Sequence, residues 1–313
     1  MTLREKGFIH ISDAYDKALE YAIKRRSGEV KSIKTPWDSF NRATMDGIEW
    51  NTLTVIAGRP ASGKTLLSSL ITREAFKLNP DQDFCVLDFQ FEMLSRTIAM
   101  REISGSINVP TRRMNSVGIK MTDEDLESAK KYCDANKDRE IYTYEHALSV
   151  DGLEKKIYDF VEFKKKPTLI TIDHSLLINK SASEKDRIDT LHNLSSMLSK
   201  TRKKLPVSII LLSQLNRDIE TVERMKPGSQ GNYVKTSDVF GADSLLQNAD
   251  TLVGIHRPAT LGIRLYGPRK RVMEPDTIAV HFLKERSGST NMTFFKADFP
   301  KMKMYEIEVE SEA

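Results

Sequence analysis

The stretch "GRPASGKT", residues 58 to 65, follows the apolar run "NTLTVIA" and precedes "LLSSLITREAF". It fits G-x-x-x-x-G-K-[ST], a glycine-rich turn between a strand and a helix. Gly58 and Gly63 let the backbone turn its N–H groups inward with no Cβ in the way. Those amides, with the positive end of the helix that opens near Lys64, form a cradle for phosphate. Arg59, Pro60, Ala61 and Ser62 complete the loop, Lys64 reaches the β and γ phosphates, and the Thr65 hydroxyl is placed to ligate Mg²⁺. A chance match in a chain of this length is roughly a one-percent event at average residue frequencies. The competing reading is a Gly-rich turn with an exposed lysine. The pattern therefore predicts a chain that binds a nucleoside triphosphate.

The segments around the loop alternate in a way that fits such a site. Short, β-branched apolar runs at 53–57, 84–89, 141–145, 168–173 and 207–213 read as buried parallel strands. Helical stretches are expected at 64–78, 93–104, 122–136, 150–165 and 186–204, the last with Ile188, Leu191, Leu194 and Leu198 on one stripe. This alternation predicts an α/β fold with a mostly parallel central sheet flanked by helices on both faces. "TLVGIH", "TIAVHFL", "MTFFKA" and "KMYEIEV" predict later strands that end in a hairpin or antiparallel edge. At the N-terminus, Ser12 and Asp13 are good N-caps for a helix over 12–26 that carries Tyr15, Ala18, Leu19 and Ala22 and ends at Gly28. A polar linker, "EVKSIKTPWDSFNRATMDGIEW", leads from it to the first strand. The predicted division is a linker helix at 1–30 and one nucleotide-binding domain at 31–313. Loops at 221–241 and 257–276 are long enough to expect a functional role or disorder.

Composition narrows the class. No apolar run reaches the length of a membrane span and the N-terminus has no signal-peptide core, so no membrane partner and a cytoplasmic location are expected. Cys85 and Cys133 form no CxxC pair, which argues against a disulfide framework or a zinc site. Lys and Arg number 48 against 44 Asp and Glu, so the net charge of +4 neither demands nor excludes nucleic acid.

Hydrolysis needs an acid near the metal and a group that orients water. Asp173 ends "TLITID", at the C-terminal end of a strand, where open α/β sheets place their ligands. Burying it is costly unless a cation or water compensates, which fits Mg²⁺; the alternative is an N-cap for the next segment. Glu92, in "FQFEM", follows strand 84–89 and either polarises the attacking water or is a carboxylate favoured at a helix start. Gln214, after "IILLS", either senses the γ-phosphate or satisfies loop amides. Lys284 and Arg286 alternate in "FLKERSG", so they point to one side of a strand. Taken alone, they are two solvated charges.

In order, "GRPASGKT", "FQFEM", "LITIDHSLLI", "LLSQLNR", "SDVFGADSLLQNAD" and "HFLKERSGST" resemble the DnaB-type replicative helicases, RecA-like ring motors, over about residues 30 to 300. The resemblance implies a RecA-like P-loop NTPase. ATP and Mg²⁺ would bind at Lys64 and Thr65, with Glu92 as catalytic carboxylate, Asp173 as the magnesium-associated acid and Gln214 as γ-phosphate sensor. It also implies that Lys284 and Arg286 reach into a neighbouring subunit's ATP site, Arg286 as an arginine finger. A finger supplied from next door implies a head-to-tail homo-oligomer, in this family a hexameric ring around single-stranded DNA. The helix at 12–26 is similar to the family's linker helix, which packs on the adjacent protomer; otherwise it is an ordinary surface helix.

DNA would be held by positive charge and backbone amides in a central channel. The residues nominated for this are Lys180, Lys226, Lys235, Phe240, Gly241, Ala242 and Asp243. Phe240 stands where many relatives carry a basic residue, which leaves backbone amides or a stacking ring in place of a guanidinium. His174 stands where relatives often have Tyr and bears on the metal's surroundings or on packing. The charge runs "KKK" (164–166) and "PRKR" (268–271) are expected to be solvated faces. The family's N-terminal domain and a primase zinc motif are not among the matched segments. What normally docks a primase or helicase loader is then expected to be missing or to lie on another polypeptide, and the compact form suggests a phage or mobile-element origin. The function implied is ATP-dependent 5′-to-3′ translocation with strand separation. The competing readings are a DNA-stimulated RecA-like ATPase, a recombinase or regulatory clamp that leaves strands paired, and an accessory interaction protein.

Overall fold

The computed structural model describes residues 7–182, 184–226, 231–286 and 290–307. Parts of the expected loop at 221–241, of the "HFLKERSGST" segment and of the strand "KMYEIEV" lie outside the described residues.

Six strands follow the phosphate-loop logic: β1 (Leu53–Gly58), β2 (Cys85–Gln90), β3 (Ile141–Tyr144), β4 (Thr168–Asp173), β5 (Val207–Ser213) and β6 (Thr251–His256). They pair in parallel in the order β3-β2-β4-β5-β1-β6. After a small hairpin, β7 (Leu265–Tyr266) with β8 (Arg271–Val272), the strands β9 (Thr277–Glu285), β10 (Met292–Asp298) and β11 (Lys303–Ile307) continue the sheet antiparallel from β6. Among the described residues this makes one nine-stranded sheet. The helices are α1 (Ile11–Ser27), α2 (Asp38–Ala43), α3 (Lys64–Leu78), α4 (Ser95–Ser106), α5 (Thr111–Asn115), α6 (Asp123–Asn136), α7 (Val150–Lys164), α8 (Arg187–Lys204), α9 (Val222–Met225) and α10 (Ala242–Asn248).

The continuous apolar strands are explained by burial on both faces. Along β5, Val207, Ile209 and Leu211 enter a core with α7, α8 and α10, while Ile210 and Leu212 enter a second core with α3. The same period of two puts Asp88 and Gln90 of β2 beside Val86, and Thr171 and Asp173 of β4 beside Leu169, on the α3 face. The polar residues of the site are thus alternate positions of otherwise apolar strands.

Three expectations differ in detail. The stretch taken for a polar linker is packed: Ile33, Trp37, Phe40 and Ile48 are buried, with the Trp37 ring edge-on to Phe295 at 5.4 Å. Trp37, Phe40 and Ala43 do recur at helical spacing, but the helix there, α2, is only six residues long, and Ile33 and Ile48 are joined by an antiparallel bridge that local spacing does not reveal. Helix α1 is capped by His10, whose Nδ1 accepts from Ser12 N, not by Ser12 or Asp13. Helix α4 starts at Ser95, so Glu92 lies in the preceding turn and not at a helix start. The cap comes from a distant segment: Ser95 N donates to Glu145 Oε1 at 2.6 Å. The loop at 257–276 holds the β7–β8 hairpin and a short 3₁₀ turn at Pro258–Leu261. No described helix is long and apolar enough to cross a membrane.

Candidate nucleotide site

Parallel pairing brings the C-terminal ends of β1, β5, β4 and β2 to one edge of the sheet. Ala57 pairs with Ser213, and Gln90 with Asp173. Whatever follows these strands is therefore assembled side by side: the phosphate loop after β1, Gln214 after β5, His174 after β4 and Glu92 after β2. They line a cleft of about 790 Å³ with Pro60–Leu66, and Arg101, Arg112 and Arg257 join them. These three arginines were not foreseen. Their positions carry no motif, and only the fold turns them towards a site suited to a polyanion.

The loop is shaped by close approach. A Cβ on Gly58 would stand 2.5 Å from Ile255 Cγ2, and Gly63 has φ +101°, in the left-handed region that favours glycine. Lys64 opens α3 with its Nζ donating to Gly58 O at 2.9 Å and Arg59 O at 3.2 Å. Burial pushes its pKa below the ordinary lysine value, against the opposing pull of Asp173 and Glu92.

Beside it, Thr65 Oγ1 donates to Asp173 Oδ2 at 2.9 Å. Asp173 is 2% exposed, and its Oδ1 has no hydrogen-bond partner among the described residues. Burial raises its pKa above the usual carboxylate value; the Thr65 hydroxyl lowers it and the Glu92 charge raises it further. A buried carboxylate oxygen without a donor, next to a threonine hydroxyl, is the donor set a hydrated divalent cation requires, so the residues present fit Mg²⁺. Ser62 Oγ is likewise buried without a partner among the described residues. Glu92 is exposed at the cleft, 3.7 Å from His174 Nε2. His174 is buried, which lowers its pKa against the opposing pull of the Glu92 carboxylate. Its Nδ1 accepts from Leu176 N, which fixes the ring.

On the same sheet face, Asp88 accepts from Thr171 and from Gln90 Nε2, and burial pushes its pKa up to about 6. With Gln90 it lines an adjoining cleft of about 490 Å³ between α3 and α4.

Lys284 and Arg286 are held together, as their spacing predicts, but on the opposite edge of the sheet. Lys284 Nζ donates to Leu246 O and to Ala249 O, and Arg286 donates to Gln247 O at 3.2 Å. Arg286 also pairs with Asp250, which precedes β6. Because β9 runs antiparallel to β6, Glu285 pairs with Thr251, while Ile255 pairs with Gly58.

Of the residues nominated for DNA, Lys180, Lys226 and Lys235 are exposed. Lys235 Nζ lies 5.5 Å from the Tyr233 ring centre. Phe240 packs against the core, and its amide donates to Gln214 O at 2.9 Å. Gly241 adopts φ +68° and leads into α10 at Ala242 and Asp243. The 164–166 run is paired at two of its three residues, Lys164 with Glu140 and Lys166 with Asp83. In the 268–271 run, the Arg271 guanidinium lies 4.2 Å from the Phe294 ring centre.

A nine-stranded sheet, parallel over six strands and antiparallel beyond, with a glycine-rich loop after its central strand and an acid two strands away, defines a RecA-like P-loop nucleotide-binding protein. The family model of the DnaB-like helicase C terminal domain matches residues 24–304, and the chain belongs to that family. It is 24% identical over 256 residues to a replicative DNA helicase DnaB of Helicobacter pylori, covering 80% of this chain and 50% of that protein. To the Geobacillus stearothermophilus DnaB it is 24% identical over 291 residues, covering 89% and 61%. The chain thus spans about half the length of the first curated relatives it matches. Its fold is similar to that of a DnaB-like replicative helicase solved in a study of its interactions with primase, with a TM-score of 0.77 at 19% identity over 94% of this chain and 67% of that one. A second solved structure, of an isolated ATPase domain, gives the same TM-score and identity over 94% of this chain and 98% of that domain.

Proposed function

We propose that the chain is the motor of an ATP-driven DNA helicase, a ring of copies that translocates 5′-to-3′ on single-stranded DNA and hydrolyses ATP between neighbours. One observation carries this reading: the phosphate loop and the Lys284–Arg286 pair lie on opposite edges of one sheet. Between the Thr251–Thr54 and Ile255–Gly58 pairs the strands advance roughly 13 Å, at about 3.3 Å per residue, and Lys64 lies beyond. The pair is therefore out of reach of its own nucleotide, while head-to-tail stacking presents it to the next copy's.

Within one copy, bound triphosphate would take the place of the two loop carbonyls at Lys64 Nζ. Mg²⁺, held through Thr65 and Asp173, would neutralise charge on the phosphate oxygens. Glu92, exposed at the cleft beside His174, would orient water, Gln214 would contact the γ-phosphate, and Arg286 of the next copy would stabilise the charge that develops on it. Single-stranded DNA would run along the exposed lysines 180, 226 and 235 and the backbone at 240–243. A primase or loader on a separate polypeptide is the proposed further partner.

Forked-duplex unwinding in the presence of ATP tests the reading. Strand separation, with hydrolysis stimulated by single-stranded DNA, is the expected result. Stimulated hydrolysis without any opening of the fork would make the chain a clamp or recombinase instead.

Helix α1 supports assembly. Ile11, Tyr15, Leu19 and Ile23, each four residues from the last, are between 57% and 68% exposed, while Arg25 on another face donates to Ser32 Oγ and Met45 O. The helix is anchored along one side and presents an apolar stripe on another, the form of a segment that docks on a neighbour. Leu19→Asp is expected to weaken assembly about tenfold or more, at roughly 1.4 kcal/mol per factor of ten, while leaving the melting temperature of the dilute monomer unchanged. Sedimentation velocity with an ATP analogue measures the first, and calorimetry the second.

A further inference from the structure

The Arg59 guanidinium is held at all three nitrogens. Nε and Nη2 donate to the two carboxylate oxygens of Glu220 at 2.6 and 3.2 Å, and Nη1 donates to Leu215 O at 3.1 Å. Both side chains are largely shielded, at 19% and 31% exposure. A planar fork bound to both oxygens of a carboxylate fixes direction as well as distance, so a shift at one end is passed to the other. Arg59 also meets the phosphate-facing lysine directly, since its carbonyl accepts from Lys64 Nζ. Any ligand that draws Lys64 away releases that carbonyl.

Glu220 closes the segment that leaves β5 beside the cleft. That segment is bonded on its far side to the chain running into α10. Gln214 O accepts from Phe240 N at 2.9 Å, and Asn216 N donates to Asp238 O at 2.6 Å. Leu215 forms an antiparallel bridge with Val239. Asp238 is pinned in turn by Arg224, whose Nη2 donates to Asp238 Oδ2 at 2.9 Å and to Tyr233 O. Residues 214–220 are therefore a strip gripped by the phosphate loop on one side and by 238–240 on the other. No motif joins Arg59 to Glu220; the fold does.

We infer that Glu220 is a positioning residue: through Arg59 it couples the state of the phosphate loop to the segment 231–243, so that nucleotide in the cleft and DNA on that segment influence each other. The inference rests on the DNA-motor reading above for its second ligand, but the coupling itself needs only nucleotide.

Glu220→Gln keeps the side chain's size and leaves the Arg59–Leu215 bond in place, but removes the charge and one of the two acceptors. Affinity for a fluorescent non-hydrolysable ATP analogue, and KM and kcat without DNA, should stay within about twofold. Stimulation of hydrolysis by oligothymidylate should fall about tenfold, within the ordinary range of coupling between sites. Amide hydrogen exchange of 231–243, measured without DNA, should respond to the ATP analogue in the native protein and lose most of that response in the variant. If nucleotide alters exchange there equally in both proteins, the inference is wrong, whatever the hydrolysis assay gives. If the variant loses nucleotide binding and thermal stability together, Glu220 merely holds the loop in shape, and the inference is again wrong. If the native protein hydrolyses ATP with no response to DNA, it is the motor reading that fails, and the exchange measurement decides the coupling by itself.

Discussion

Arg286→Ala is expected to lower ATP hydrolysis by about 10³-fold or more, the scale of a missing arginine finger, with nucleotide affinity nearly unchanged. The side chain is about half exposed, at 48%, and its partner Asp250 keeps a second guanidinium, Arg202, at 3.1 Å. The buried acid keeps that partner and the Leu53 N–H, so the variant should fold normally. A mixing experiment separates a shared site from a local one. Lys64→Ala copies lack the phosphate contact but keep the finger; Arg286→Ala copies are the reverse. In a random equal mixture about a quarter of head-to-tail seams join an intact loop to an intact finger. Hydrolysis should therefore return to roughly a quarter of the native rate, although neither variant is active alone. If the mixture stays inactive while both variants still assemble, or if Arg286→Ala hydrolyses at the native rate, the site is not shared between copies.

Asp173→Asn should change stability and activity in opposite directions. The folded chain raises the Asp173 pKa, mainly by burial. A raised carboxyl binds its proton more tightly in the folded state, so above its unfolded pKa the ionised group destabilises the native state. That cost is absent at low pH, grows as pH rises through the unfolded and then the folded pKa, and is fully present above the folded pKa. Asparagine carries no such charge, so the ligand-free variant should melt higher than the native protein at pH 7. The difference should shrink as pH falls through the same window. With Mg²⁺ and an ATP analogue the order should reverse. Ligand at a hundred times its Kd stabilises the native protein by about 2.7 kcal/mol, and the variant lacks the carboxylate proposed to hold the cation. Hydrolysis should fall about 10²- to 10³-fold, as when one preorganised charge-stabilising group is removed. Calorimetry with and without ligand across pH reads the crossover. A ligand-free variant less stable than the native chain would mean that Asp173 serves as a structural hydrogen-bond acceptor.

What could be read from the amino acids alone was whatever depends on neighbours in the chain. The glycines of residues 58 to 65, the lysine and threonine that follow, and the acid at the end of "TLITID" need only a strand, a turn and a helix in succession. Their placement at one end of the sheet was legible because each local pattern carries its own physical cause. Parallel pairing followed from the alternation of strands and helices along the chain. The DnaB-type resemblance rested on six such local segments in sequence, and the family match agrees with it.

Tertiary structure decided what depends on residues far apart. Only the sheet order places Arg286 on the edge away from its own phosphate loop, since strand direction and register are properties of pairing and not of the strand's own sequence. Only the fold sets Glu145 as the cap of α4 and moves Glu92 into the turn ahead of it. Only the fold packs the apolar residues of 33–48 into the core, and it joins Arg59, after β1, to Glu220, after the neighbouring β5. Hydrogen bonds and ion pairs act over a few ångströms of space and take no account of distance along the chain. A sequence therefore announces its local turns and leaves its long-range contacts to be settled by packing.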